Sequence, residues 1–313
     1  MVQKRKKGRK GGSRKKSRKK KDFSRVALLS LISLLAVLAI TVILLYTKQR
    51  TKYEAPGPVK PPKALSEKVP RDAHIKQGDV SERVTPREIA PARAYKVAII
   101  IDDLGYNNGR AEELFKIDAA LTFSIFPFGP YSKSLAQKAH VMGREVMLHL
   151  PMEPHRYPQK NPGDGTLLLD MNDEELLRKL DADIRSVPFI KGVNNHMGSK
   201  FTENEEKMRV VLTGLEKRNL FFLDSKTSGD SVGYSMAKKM GLKAAERNIF
   251  LDNIRDVELI TAQIRKLARL SLKNGSAIGI GHPYPPTIKA LKQMLPELKA
   301  KGIEVVPVSH LVE

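Results

Sequence analysis

Several residues of catalytic type each stop a short apolar run. Val97-Ala98-Ile99-Ile100-Ile101 ends in Asp102-Asp103, and Val146-Met147-Leu148 ends in His149. Phe221-Phe222-Leu223 ends in Asp224, and Ala277-Ile278-Gly279-Ile280-Gly281 ends in His282. Gly192-Val193-Asn194-Asn195 leads into His196 in a similar way. Carboxylates and imidazoles move protons and bind divalent ions near neutral pH. One carboxylate with two neutral imidazoles offers a Zn2+-like ion three ligands and leaves positions open. A second carboxylate and a further histidine then remain for proton transfer. An open metal site polarises a carbonyl and makes hydroxide available near neutral pH, so the reaction class is metal-assisted hydrolysis of an amide or ester.

Each candidate has a plainer alternative. Asp102 and Asp103 are adjacent, so on a regular strand their side chains point differently and can take different jobs. Two crowded carboxylates resist ionising together unless a cation or donor compensates, so one could bind a metal while the other acts as base. A helix cap or a loop ion pair is the alternative. His149 stands in Leu148-His149-Leu150-Pro151-Met152-Glu153-Pro154, where Glu153 could orient it or contact substrate; a satisfied core histidine competes with that role. His155, in the following loop, is a weaker second ligand, because solvated loop histidines are common. His196 lies between Gly192 and Gly198, and Asn194 and Asn195 could fix its tautomer or bind a hydroxyl-rich ligand. A structural turn would use the same residues. Asp224 could orient a histidine or bind substrate, while Ser225 has no nucleophile-elbow pattern around it. Arg247 and Asp252 could hold an anionic group or a carboxylate, or pair on the surface. His282 could protonate a leaving group, or cap the helix after it.

Buried parallel strands read as continuous apolar runs, and in barrels of alternating strands and helices the working residues sit at the C-terminal strand ends. The sequence predicts strands at 96–102, 121–127, 144–150, 192–197, 220–224, 242–246, 276–281 and 303–308. Helices are expected at 107–116, 131–142, 173–186, 203–218, 232–240, 255–273 and 286–301. A Pro- and Gly-rich loop at 151–170 is long enough to be a wall or lid. Asn172 with Glu175, and Thr202 with Glu205, read as capping boxes. This alternation implies an irregular α/β barrel of seven to eight parallel strands over 95–313. An open doubly wound sheet is the competing fold, but no Gly-rich phosphate loop follows the first strand.

The 313 residues carry a net charge of +22, very unevenly spread. Residues 1–25 hold 14 Lys and Arg against one acid, Asp22. Val26 to Tyr46 has no charged residue, and its 21 residues would span about 31 Å as a helix, the thickness of a hydrocarbon core. A cleaved signal peptide would have a shorter apolar region followed by a small-residue cleavage site, so an uncleaved anchor is expected. The basic tail is then cytoplasmic and meets anionic membrane lipid, and everything after Lys48 is extracytoplasmic. Nucleic acid is not an expected partner, because the tail has no aromatic before Phe23 and no recognition motif. Residues 47–94, rich in proline and mixed charge, read as a linker. There is no Cys, which excludes disulfides, thiol nucleophiles and thiolate ligands, and no Trp.

Ile101-Asp102-Asp103-Leu104-Gly105, His149-Leu150-Pro151-Met152-Glu153-Pro154, Asn194-Asn195-His196-Met197-Gly198-Ser199, Phe222-Leu223-Asp224-Ser225 and Gly279-Ile280-Gly281-His282-Pro283-Tyr284-Pro285 together resemble the divergent polysaccharide deacetylase family. The resemblance covers nearly all of 95–313. It implies a carbohydrate-esterase-like barrel that removes acetyl groups from polysaccharide. It implies Asp102 as general base, Asp103 as metal ligand and His282 as general acid. Classical members place two metal-binding histidines close together on one segment, a spacing absent here. His149 and His196, on different strands, are the expected replacements, with Zn2+ the expected ion. Glu153, Asn195, Asp224 and Arg247 are the expected substrate contacts. The expected substrate is an envelope polysaccharide or peptidoglycan. A catalytically silent barrel that binds glycan or protein is the alternative.

Overall fold

A computed structural model of the chain describes residues 95–313. The expected tail at 1–25, anchor at 26–46 and linker at 47–94 lie outside the described residues. Among those described, no helix is long and apolar enough to cross a membrane.

Strands and helices alternate as the apolar runs predict. The order is β1 (Tyr95–Leu104), α1 (Asn108–Phe115), β2 (Thr122–Ile125), α2 (Ser132–Val141), β3 (Glu145–Met152) and α3 (Asp173–Ser186). There follow β4 (Ile190–Met197), α4 (Glu205–Glu216), β5 (Phe221–Asp224), α5 (Gly233–Lys239), β6 (Ala244–Glu246) and β7 (Ile249–Phe250). The chain ends with α6 (Val257–Asn274), β8 (Ser276–Gly281), α7 (Pro285–Ala300) and β9 (Ile303–Val305). Every ladder is parallel, in the order β6-β5-β4-β3-β2-β1-β8-β7, with β9 also on β1.

The sheet curls into a partial barrel. Val97, Ile99 and Ile101 face outward into a cluster shared with helix residues such as Leu114 and Leu267. Ala98 and Ile100 face inward, against Met147, Leu223, Ile278 and Ile280. Burial on both faces is why β1 is apolar at every position. No α-helix residue joins the inner cluster, so the α-helices cover the outer face only and the sheet is not doubly wound. Gly192 makes room for one inner side chain, since a Cβ there would lie 2.3 Å from the Phe221 ring.

Two features close the ends of this curl. No ladder joins β6 to β7. Instead Arg247 N–H donates to Asp224 O (3.0 Å) and Asn248 N–H to Ile278 O (2.9 Å), so the chain itself steps from the β5 edge to the β8 edge. The segment after β9 crosses the opposite end: Val306 N–H reaches Val97 O (2.9 Å), and Val308 N–H reaches Thr122 Oγ1 (3.1 Å). Val308 is fully buried in the inner cluster and plugs its base. Burying such a side chain stabilises by about 1.5–3 kcal/mol.

Local expectations held with two corrections. Asn172 and Glu175 form the expected capping box on α3. Thr202 does not cap α4: it sits in a 3-10 turn, Phe201–Glu203, and its hydroxyl donates to Gly198 O. Asn204, in extended conformation, accepts from Lys207 N–H and starts α4 instead. The strand expected at 303–308 stops at Val305, because the chain must turn there to enter the barrel base.

Candidate active site

The site forms where β1, β3, β4 and β8 end. On an ideal strand Asp103 would point away from Asp102 and toward the helices. The β1–β2 register shifts between Ile101 and Leu104, and Asp103 takes φ 58°. Aspartate tolerates this left-handed conformation better than most residues. The bulge therefore turns both carboxylates toward the mouth, where regular alternation would separate them. Among the described residues, four of the six non-glycine residues with positive φ (Asp103, Phe128, Met197 and Lys226) follow or end strands at this face. Backbone strain of this kind collects at functional sites.

Three ligand-type atoms converge there. Asp103 Oδ1 lies 3.2 Å from His149 Nε2 and 3.3 Å from His196 Nδ1, and the two imidazole nitrogens are 3.0 Å apart. Asp103 Oδ1 is buried without a hydrogen-bond partner. A tetrahedral ion with bonds of about 2.0–2.1 Å has its ligand atoms roughly 3.3 Å apart, so the triangle fits one divalent ion. Among the described residues this is also the group of side chains that could hold a metal.

Asn194 sets the tautomer of His149. Its Nδ2 donates to both oxygens of Asp102 (3.0 and 3.2 Å) and to Ser225 Oγ (3.1 Å). Its Oδ1 is thereby turned to accept from His149 Nδ1–H (3.1 Å) and from the Ser124 hydroxyl. His149 Nε2 is left free as an acceptor toward the cluster. The sequence singles out Asn194 as a tautomer-fixing residue for His196; in the fold it serves His149. Phe126 forms the apolar wall, with its ring centroid 5.0 Å from that of His149 and 4.7 Å from that of His196.

Charge balance in this group is tight. Burial works against the Asp103 carboxylate, yet the imidazoles of His149 and His196 hold its pKa well below the usual range. Burial likewise opposes charge on His149, but Asp102 and Asp103 outweigh it and raise its pKa. At His196 burial wins and lowers the pKa.

His282 stands across the mouth, with Nε2 4.0 Å from Asp103 Oδ2. Its Nδ1–H donates to Asp252 Oδ1 (2.8 Å), and its backbone N–H to Asp252 Oδ2 (2.6 Å). The Thr287 hydroxyl also donates to Oδ2 (2.6 Å) and fixes the carboxylate. Gly281 permits this approach, since a Cβ there would lie 3.2 Å from Thr287 and 3.4 Å from Asp252. Burial alone would depress the His282 pKa; the bond and charge of Asp252, aided by Asp102 and Asp103, push it up to about 9. The raised pKa favours the charged form of His282, with Nε2 turned to the mouth.

The other expected site residues frame this centre. Asn195 accepts from Ser225 N–H (2.8 Å) and donates to Met197 O (2.8 Å) and Thr227 Oγ1 (3.3 Å), while still lining the mouth. Glu153 accepts from Leu169 N–H (2.7 Å) and pairs with Lys200, which ties down both ends of the 151–170 loop. Asp224 accepts from Lys226 N–H, Ser231 Oγ and Tyr234 N–H, so it organises the loop after β5. Arg247 donates to Ser225 O and Lys226 O and lies over the Phe250 ring, 3.7 Å from its centroid. His155 pairs with Glu203 (2.9 Å), away from the cluster. Ser124 and Thr287 are the functional-site residues that sequence patterns leave unassigned. Asp252, expected to hold an anionic group or a carboxylate or to pair on the surface, instead accepts from His282 and Thr287. The mouth holds about 340 Å³.

Comparisons with known proteins agree with this architecture. The chain is 38% identical over 207 residues to the uncharacterized protein YibQ of Escherichia coli, covering 66% of this chain and 64% of that protein. It thus spans just under two thirds of that relative. An uncharacterized protein of Haemophilus influenzae is 35% identical over 216 residues, covering 69% of this chain and 76% of that one. The crystal structure of an uncharacterized protein from Agrobacterium tumefaciens superposes with a TM-score of 0.68 at 28% identity, over 71% of this chain and 91% of that chain. The sequence profile of the divergent polysaccharide deacetylases matches residues 99–312, from the middle of β1 almost to the C-terminus, and the chain belongs to that family.

Proposed function

We propose that the chain is a metal-dependent hydrolase that removes acetyl groups from an envelope polysaccharide or peptidoglycan. The observation that carries this reading is the convergence of Asp103 Oδ1, His149 Nε2 and His196 Nδ1 within 3.0–3.3 Å, facing His282 Nε2 at 4.0 Å from Asp103 Oδ2. Asp103, His149 and His196 would hold the ion, and one oxygen with two nitrogen donors suits Zn2+. When bound, the ion supplies Lewis acidity at the acyl oxygen and lowers the pKa of water. Asp102, held by Asn194 and buried, is placed to take the proton from the attacking water. His282 is placed to give its Nε2 proton to the departing amine or alcohol. Asp252 stabilises the imidazolium until that transfer. Phe126 and Phe250 exclude water from two sides of the mouth. The uncharged 26–46 segment would anchor this domain outside the plasma membrane, near such a polymer.

Acetate release from acetylated glycan and peptidoglycan by the full-length chain tests the reading. Release should require the ion, stop with chelator and return on reloading. Asp102→Asn should keep the metal and lose about 10²–10⁴ in rate. A folded, metal-free protein that binds glycan and releases nothing would identify a binding barrel instead.

A further inference from the structure

One wall of the mouth carries charge that the hydrolytic chemistry does not use. Arg156 and Lys160 line the cavity beside Ser199 and Thr227. Both are exposed, and neither pairs with a carboxylate among the described residues. Two acids near this turn are already engaged, Glu153 with Lys200 and Leu169 N–H, and Glu203 with His155 and the Ser228 hydroxyl, while Asp164 and Asp170, farther along the loop, do not line the cavity.

The two cations are presented by a built turn. Tyr157 N–H donates to Pro154 O (3.0 Å), and Lys160 N–H to Arg156 O (2.7 Å). This places the two side chains four residues apart on one turn. The turn is fastened to the end of β4: His155 N–H donates to Ser199 Oγ (3.2 Å), and the N–H groups of Lys200 and Phe201 donate to Glu153 O (3.2 and 3.0 Å). Asp102 is the acid that lines the cavity, and it lies at the floor under Asn194. A concave site with cations of one sign on its wall concentrates oppositely charged ligands. A guanidinium fork beside an ammonium matches the two oxygens of one carboxylate.

We propose that the site takes an acylated sugar unit bearing a carboxylate, which Arg156 and Lys160 bind while the acyl group lies between Asp102 and His282. This rests on the hydrolase reading above and narrows it to acidic glycans. The carboxylate could belong to a uronic acid ring or to a lactyl ether on an amino sugar.

The test is binding, read apart from turnover. Titration calorimetry on the full-length chain compares three tetrasaccharides. One is N-acetylglucosamine alone, one alternates it with glucuronic acid, and one alternates it with N-acetylmuramic acid. The wild type should bind one of the two acidic sugars about tenfold tighter than the neutral one at low salt. That preference should shrink as ionic strength rises. Which acidic sugar gains distinguishes the ring carboxylate from the lactyl one. In the Arg156→Gln, Lys160→Gln double variant the affinity ratio should fall to about one, and the conservative Arg156→Lys variant should keep part of it. Equal affinity for all three sugars in the wild type overturns the proposal. So does an undiminished preference in the double variant, which keeps every charge of the N-terminal tail. Acetate release on the same sugars separates the two claims. Preference without release leaves the carboxylate site standing and removes the hydrolase reading. Release without preference does the reverse.

Discussion

At the scale of single residues, the proton inventory of the mouth depends on Asp252. His282 is pushed up to about 9 because Asp252 accepts from Nδ1–H and stabilises the imidazolium against burial. If His282 is the proton donor, turnover needs its charged form, so kcat should fall as pH rises through about 9. In Asp252→Asn burial is no longer outweighed, and the pKa drops toward or below the ordinary histidine value. The alkaline limb of the kcat profile should then move down by about two pH units, with metal content unchanged. An unmoved limb in a folded variant would remove His282 as the acid. Sequence patterns found His282 because a strand end is a readable position. Asp252 was harder to read. Its role depends on a contact with a residue thirty positions later and on the gap that Gly281 leaves. The Asp103 bulge was equally hidden, because alternation is a rule of ideal strands and a local kink leaves no periodic trace.

At the scale of elements, α3 carries a cost. Leu176 and Leu180 give it a buried face, and Asp183 completes that face. Both Asp183 oxygens are buried without hydrogen-bond partners, and one lies 2.5 Å from where a Gly165 Cβ would stand. Burial pushes its pKa up to about 8, against an ordinary value of 3.8, and Lys179 only partly offsets this. A carboxyl with a raised folded pKa favours the fold while protonated. Its contribution is fully present below about pH 4 and is lost as pH rises through about 8. Asp183→Asn stays neutral throughout. It should therefore be more stable than the wild type at pH 9 by about 2 kcal/mol, or roughly 5 °C in Tm, with the gap closing near pH 4. Melting curves across that range check it, and a gap independent of pH would contradict it. Long amphipathic helices with polar caps were legible at this scale, as Asn172 and Glu175 show. The short β7 was not, because two residues carry no period, and its place is set by ladder edges on β8.

At the scale of the whole molecule, the site is a product of curvature. Asp103, His149, His196 and His282 come from four strands and meet only because the sheet curls. The βα alternation announced that curl, and the crossing of residues 306–313 beneath the barrel closes the base. Val308 lies in the inner cluster and the family match runs over 99–312, so we expect 95–313 to fold alone. Melting temperatures of 48–313 and 95–313 should nearly coincide, and a loss above about 10 °C on trimming would make the linker part of the fold. The central claim concerns the three-residue metal centre. Elemental analysis of the purified full-length chain and its His196→Ala variant addresses it most directly. One divalent ion per wild-type chain and almost none in the variant is the expected result, because two remaining protein ligands are too few to hold it. Stoichiometric metal in His196→Ala, or a folded wild type that binds no divalent ion when one is supplied, would contradict the account.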